Sequence, residues 1–278
     1  MELNRVLIVY KHLSAIRPRV SNMRMKEFKR MTRIHDKALA MITDLLKKRK
    51  ISCHLVSQQS VKKGLSGDII IALGGDGTFF AACHLADEIP VLGVNSMPEH
   101  SVGFFCATDV AGLSKTLDLI KTENLRAVYL PTIGGKIDEK DIPFHAVNDI
   151  LFARHTPAEV ARYQISIGTK SELQKSSGVW IATGAGSTGG ILSAGGKKTE
   201  ITAKRLQYRV REPFAHELSG YKILNGFVGD EESIEIIPMR DGAIYIDGPG
   251  IVCEVVEGEK LTLKLSNKTV TAFLQSNH

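Results

Sequence analysis

The chain has 278 residues, 43% hydrophobic and 24% charged, with 36 Lys plus Arg against 30 Asp plus Glu. That length suits two modest domains, and the composition is that of a globular chain with a real core, which excludes a disordered or low-complexity protein. The net charge of +6 fits an anionic ligand such as a nucleotide, whereas no segment interleaves basic groups with aromatics as nucleic-acid binders do.

No apolar run approaches the length of a membrane span, and no signal-peptide pattern opens the chain. The expectation is a cytoplasmic protein without membrane or nucleic-acid partners. Cys53, Cys83, Cys106 and Cys253 lack metal-ligand spacing and read as free thiols of a reducing compartment. His100, His145, His155 and His216 lack it too, so no protein metal site is expected.

In chain order, Arg5–Tyr10 reads as a strand, and residues 11–22 as a loop with Pro18, ending at Asn22, a helix-capping residue. From 23 to 50, Ile34, Leu39, Ile42, Leu45 and Leu46 recur near helical spacing. Much of the basic excess falls in 17–50 and suits the solvated face of that helix. Ile51–Val56 is a second strand, and 61–65 lead into the apolar run Ile69–Leu73, a strand buried in a parallel sheet. The run breaks at Gly74-Gly75-Asp76-Gly77-Thr78, and Phe79–Ala86 reads as helical. Ile89–Val94 is a further buried strand ending at Asn95, and Thr108 or Asp109 can cap a helix through Leu113, Leu117 and Ile120. This alternation predicts a doubly wound parallel α/β sheet over 1–124.

Beyond about residue 123 the pattern is mainly strands. Candidates are Ala127–Ile133, His145–Ala153, Ala161–Ile167, Gly178–Thr183, Ile223–Phe227, Ser233–Pro238 and Gly242–Asp247. Glu259–Leu265 and Thr269–Phe273 follow, with turn signals at Asp241-Gly242 and Asp247-Gly248. A β-rich domain over 125–278 is expected.

The glycines at 74, 75 and 77 sit where a strand ends and a helix begins, the crevice at which open α/β sheets bind ligands. They let the backbone approach a ligand, and the amides of the helix's first turn favour an anion. Asp76 is out of place among phosphate-binding amides unless it has work to do. A base taking a proton from an attacking hydroxyl, or a group facing Mg²⁺, accounts for it. A plain Gly-rich turn is the competing reading, and the pattern matches neither the dinucleotide fingerprint nor the P-loop. Phe104 and Phe105, after Gly103, could pack a base or simply belong to the core.

Two later segments add to this. Asn148-Asp149 closes a strand with an amide beside a carboxylate, suited to an adenine edge and ribose hydroxyls. Ser177-Gly178-Val179-Trp180-Ile181-Ala182-Thr183 leads into Gly184-Ala185-Gly186-Ser187-Thr188-Gly189-Gly190 and on to Ser193-Ala194-Gly195-Gly196. This is a strand, then a hydroxyl-rich loop whose amides and hydroxyls suit ribose or phosphate oxygens.

GGDGT, then LGVN with GF, then Asn-Asp, then TGAGSTGG and SAGG, in this order, resembles the NAD kinase family over roughly 68–196. GGDGT alone is shared with diacylglycerol and sphingoid lipid kinases; the later segments select this family. The resemblance implies an α/β domain followed by a β-rich one, whose last strand packs back on the first. It implies transfer of the γ-phosphoryl group of ATP, with Mg²⁺, to the adenosine 2′-hydroxyl of NAD, by a homodimer or homotetramer. On that basis Asp76 would orient or deprotonate the hydroxyl, and Gly74, Gly75, Gly77 and Thr78 would line the phosphate site. Asn148, Asp149, Ser187, Thr188 and Ser193 would bind NAD. The chain departs from the family pattern at Ser177, where Asp is usual, and at Gly190, where Tyr is usual, which bears on the acceptor. A kinase of another hydroxyl, lipid or polyol, and a non-catalytic nucleotide-binding regulator are the alternatives.

Overall fold

The structure, a computed structural model, describes residues 1–11, 22–60, 64–214 and 220–275, without the side chains of 22–24. The loop at Pro18, the Asn22 cap, residues 61–63 and His216 lie outside the described residues. The chain divides into two units, Met1–Tyr129 with Val270–His278, and Leu130–Thr269.

In the first unit the expected strands form a parallel sheet. β1 (Arg5–Tyr10) lies between β2 (Ser52–Ser57) and β3 (Ile69–Gly74), and β3 pairs onward with β4 (Val91–Asn95). The far edge of β4 is shared: Ala272 and Phe273 pair with Val91 and Leu92, and β5 (Cys106–Asp109) pairs with its second half. Every residue of β3 is buried, as a strand covered on both faces must be. Val6, Ile8, Ile69, Ile71 and Leu73 pack with Ile42 and Leu46 of α1 (Asn22–Lys48) and with Leu113, Leu117 and Ile120 of α3 (Leu113–Lys121). The alternate residues Leu7, Val9, Ile70 and Ala72 are equally buried on the other face, since successive strand residues point to opposite sides. α2 (Asp76–Cys83) packs against β3, β4 and β1, burying Phe79 and Phe80.

The second unit is a pair of antiparallel sheets around one core. β6 (Ala127–Ile137), which begins in the first unit, pairs with the short β7 (Lys140–Asp141). β8 (Asp149–Ala153) and β11 (Val179–Ala182) are central in a six-stranded sheet, with β12 (Leu206–Val210), β13 (Asn225–Val228), β15 (Gly242–Ile246) and β16 (Ile251–Val255). β9 (Ala161–Ile167), β10 (Lys170–Ser176), β14 (Ser233–Pro238) and the start of β17 (Leu261–Phe273) form the other sheet. Phe152 of β8 meets Tyr163 of β9 edge to face, with ring centroids 5.5 Å apart, and Ile150, Ile181, Ile234 and Leu263 complete the core around them.

Several local expectations change. α2 starts at Asp76, not at Phe79, so Asp76-Gly77-Thr78 is its first turn. α3 has Gly112 as its cap residue without a side-chain cap; Asp109 Oδ1 instead accepts from the Gly112 N–H, closing the turn before it. Asp149 opens β8 and does not close a strand; before it only Ala146 bridges, to Ile133. The two segments expected at the C-terminal end are one strand, β17. Among the described residues no helix is long and apolar enough to cross a membrane.

Candidate functional site

In the first unit, β3 ends at Gly74 and α2 begins two residues later, with Gly75 in an extended conformation between them. The amides of Thr78 and Phe79 bond back to Gly75 O at 2.9 and 3.1 Å, which closes the first turn. A Cβ on Gly74 would stand 2.3 Å from Thr78 Oγ1, and one on Gly75 would stand 2.5 Å from Ser101 Oγ. Both glycines are therefore set by close approach of neighbouring side chains. Gly77 is exposed, with open space where a side chain would be. Thr78 is buried, and its hydroxyl donates to Gln58 Oε1 at 3.1 Å while Gln58 Nε2 reaches Gly77 O at 3.3 Å.

Asp76 is half-buried, and its Oδ1 accepts the Phe105 N–H at 2.8 Å. The ring of Phe105 stacks on Phe79 at 5.1 Å, so this donor is anchored in the α2 core. Asn95 shapes the intervening loop: its Nδ2 donates to Ser101 O at 3.0 Å and its Oδ1 accepts from Met97 N at 2.9 Å. His35 of α1, which belongs to no motif, reaches Ser96 Oγ through Nδ1 at 3.0 Å. Burial holds the His35 pKa below its ordinary value. Cys106 is buried beside the turn with its thiol toward Gly74 O, and burial, reinforced by the Asp76 charge, pushes its pKa up to about 12. It is a neutral thiol, not a nucleophile. A cavity of about 330 Å³ opens here, lined by Asn95, Phe104, Cys106, Asp109 and Gln275 among others.

In the second unit the Asn-Asp pair and the glycine loop are brought together. A Cβ on Gly186 would lie 1.9 Å from Asn148 O, so only glycine permits this approach. Thr183 clamps the same segment: its amide donates to Asn148 O at 3.1 Å and its hydroxyl to Val147 O at 2.5 Å. Asn148 Nδ2 donates to Asp149 Oδ2 at 2.9 Å. Asp149 is only 4% exposed, and desolvation, with the Asp247 charge adding to it, raises its pKa to about 7. Ser187 is fully buried, and its hydroxyl exchanges bonds with Thr199, donating to the carbonyl at 3.2 Å and accepting the amide at 3.0 Å. Thr188 is half-buried and Ser193 exposed at the end of α4 (Gly190–Ser193).

In sequence Asp247 marks only the end of the Gly242–Asp247 strand candidate and a turn. Its carboxylate accepts the amides of Val147, Asn148 and Asp149 at 2.9, 2.8 and 3.1 Å, and so sets the whole Asn-Asp segment. An Asp before Gly in a turn was the one available signal. Among the described residues no group of three or more His, Cys, Asp or Glu could hold a metal ion.

The first unit is thus a parallel α/β sheet whose β3–α2 turn, with a fixed carboxylate, lies where open α/β sheets form their crevice. The description ATP-NAD kinase N-terminal domain matches residues 19–123. A probable NADH kinase of Oryza sativa subsp. japonica is 30% identical over 269 residues, covering 88% of this chain and 83% of the rice protein. An NADH kinase of Arabidopsis thaliana is 29% identical (87% and 84% covered), and an NAD kinase of Lachnospira eligens 26% (76% of each). The fold is shared with an Archaeoglobus fulgidus NAD kinase crystallised with ATP, at TM-score 0.71, 18% identity and 98% and 94% coverage. It is shared also with a yeast NADH kinase complexed with NADH, at TM-score 0.75, 16% identity and 99% and 84% coverage. The chain belongs to the NAD kinase family.

Proposed function

We propose that this chain transfers the γ-phosphoryl group of ATP to the adenosine 2′-hydroxyl of NAD or its reduced form. The observation that carries the reading is the Asp76 carboxylate, held at the first turn of α2 by the Phe105 amide beside three glycines. A bond forms from the 2′-oxygen to phosphorus, the γ-phosphorus–oxygen bond to ADP breaks, and the hydroxyl proton passes to Asp76. Such transfer depends on positioning and charge neutralisation more than on covalent help, which agrees with a buried, neutral Cys106. Gly74, Gly75, Gly77 and Thr78 take the phosphates, the glycines through close backbone approach and Thr78 by fixing the turn through Gln58.

Asn148, Asp149 and the Thr188–Ser193 stretch take the dinucleotide, and Ser187 holds that loop in shape through Thr199. A divalent cation bound with ATP would supply further charge neutralisation. Among the described residues no group of three or more His, Cys, Asp or Glu could hold it, so its ligands would come from the phosphates and water, which leaves Asp76 to take the proton. Two of the relatives are named NADH kinases and one NAD kinase, so both redox forms belong in the test. Purified protein with ATP and Mg²⁺ is given NAD or NADH, and the 2′-phosphorylated product is read chromatographically. Product from at least one supports the proposal; none from either contradicts it.

A further inference from the structure

The face of the six-stranded sheet turned away from the core carries a cavity of about 350 Å³ whose lining, Asp149 aside, the roles above leave unused. Ile150, Phe152, Val179, Ile181, Ile244 and Ile246 point into the core, so the residues between them face outward. Trp180, Leu151 and Tyr245 are therefore in one row: Trp180 pairs with Leu151 across β11 and β8, and Leu151 with Tyr245 across β8 and β15. Two half-buried aromatics stand two strand spacings apart, about 10 Å, with a leucine between them as floor. That is room for a planar ring.

Asp149 is among the cavity's lining residues, so the cavity is continuous with the dinucleotide segment. The glycine loop touches it as well: a Cβ on Gly190 would lie 2.9 Å from Trp180 Cζ2, so the indole fills the place a side chain there would take. Apart from Asp149, the charged groups named around it are positive or paired. The Arg211 guanidinium lies 5.9 Å from the Trp180 ring centre. Arg154 is bound to Glu159 and Asp241 O, His155 to Glu254, and Ser177 donates to Glu212.

We propose that Trp180 selects the acceptor, its indole packing against an uncharged planar heterocycle of the dinucleotide seated between Trp180 and Tyr245. The inference rests on the phosphoryl-transfer reading above. Adenine and the reduced nicotinamide ring have that chemistry, whereas an oxidised pyridinium would share the ring with the Arg211 cation.

Trp180 is the only tryptophan of the chain, so its fluorescence reports this cavity directly. Wild-type protein is titrated with NADH, NAD, ADP-ribose and ATP–Mg²⁺ while emission is followed. Saturable change with a dinucleotide and none with ATP–Mg²⁺ is expected. ADP-ribose reproducing the change places adenine in the cavity; because reduced nicotinamide quenches indole through space, a response to NADH alone places its ring there only when Trp180→Ile also raises the NADH KM. In kinetics, Trp180→Ile raises the dinucleotide KM about tenfold with kcat and the ATP KM retained, and Trp180→Phe recovers most of the loss. Transfer to a dinucleotide with silent Trp180 emission, a response to ATP–Mg²⁺ instead, or an unchanged KM in Trp180→Ile overturns the proposal. Absence of transfer to any dinucleotide would instead refute the reading beneath it.

Discussion

The Phe105 amide donates to Asp76 Oδ1 at 2.8 Å, so a loop 29 residues downstream fixes the direction of the carboxylate that opens α2. That loop depends in turn on Gly103, whose φ is +58° and whose Cβ would meet Asn95 Nδ2 at 2.5 Å. Gly103→Ala is expected to cost about 1–3 kcal/mol in urea denaturation, through the left-handed backbone and the clash. It should lower kcat at the same time, because Asp76 loses its oriented donor.

Gly77 gives the opposite contrast. Its missing side chain faces open space in a helix, so Gly77→Ala should leave stability unchanged or raise it by up to about 1 kcal/mol. A fall in kcat/KM for ATP in this stable variant would therefore report a phosphate lying against the backbone at Gly77. Kinetics matching wild type would remove Gly77 from the phosphate site.

Asp247 holds three consecutive amides of the Asn-Asp segment. Asp247→Ala should destabilise the chain by about 3 kcal/mol, since hydrogen bonds to a charged acceptor are worth about 1.5–3 kcal/mol each and water replaces only part of them. The loss is measured by thermal or urea unfolding. In the folded remainder, the dinucleotide KM should rise more than the ATP KM.

Asp149, with a pKa raised to about 7 by burial and by Asp247, predicts a pH signature. The folded state keeps this proton where the unfolded chain has already released it. Its stability contribution is therefore intact below the unfolded pKa of about 4 and declines as pH rises toward 7. Asp149→Asn, which keeps an acceptor for Asn148, should remove that decline, gaining on wild type by roughly 1–4 kcal/mol between pH 4 and 7. Parallel stability curves for the two proteins would show that the carboxyl is not buried as described.

Much of this arrangement was legible in residue order. The unbroken, isoleucine-rich run Ile69–Leu73, ended by glycines, reads as a strand covered on both faces, and those glycines mark the crevice. Leu113, Leu117 and Ile120 gave the buried face of α3. What escaped reading depended on partners distant in sequence. The Lys170–Ser176 strand is polar because it is an edge strand whose alternate residues meet solvent, so no apolar signal marked it. Asn148-Asp149 looked like the end of a strand because the Asp247 carboxylate, which holds that bend, lies about a hundred residues away. Gln58 and His35 carry no motif, yet they fix Thr78 and the loop after Asn95. Trp180 carries no motif of its own, and only the register of three strands places it opposite Leu151.

If Asp76 readies the acceptor hydroxyl, Asp76→Asn removes that base and leaves its surroundings in place. The amide keeps an oxygen to accept the Phe105 N–H at 2.8 Å, so folding and nucleotide binding should persist. Transfer of γ-labelled phosphate from ATP to the dinucleotide is measured for wild type and variant at saturating substrates. kcat should fall by roughly 10²–10⁴-fold with little change in either KM. A variant that transfers phosphate within a few-fold of the wild-type rate would contradict it.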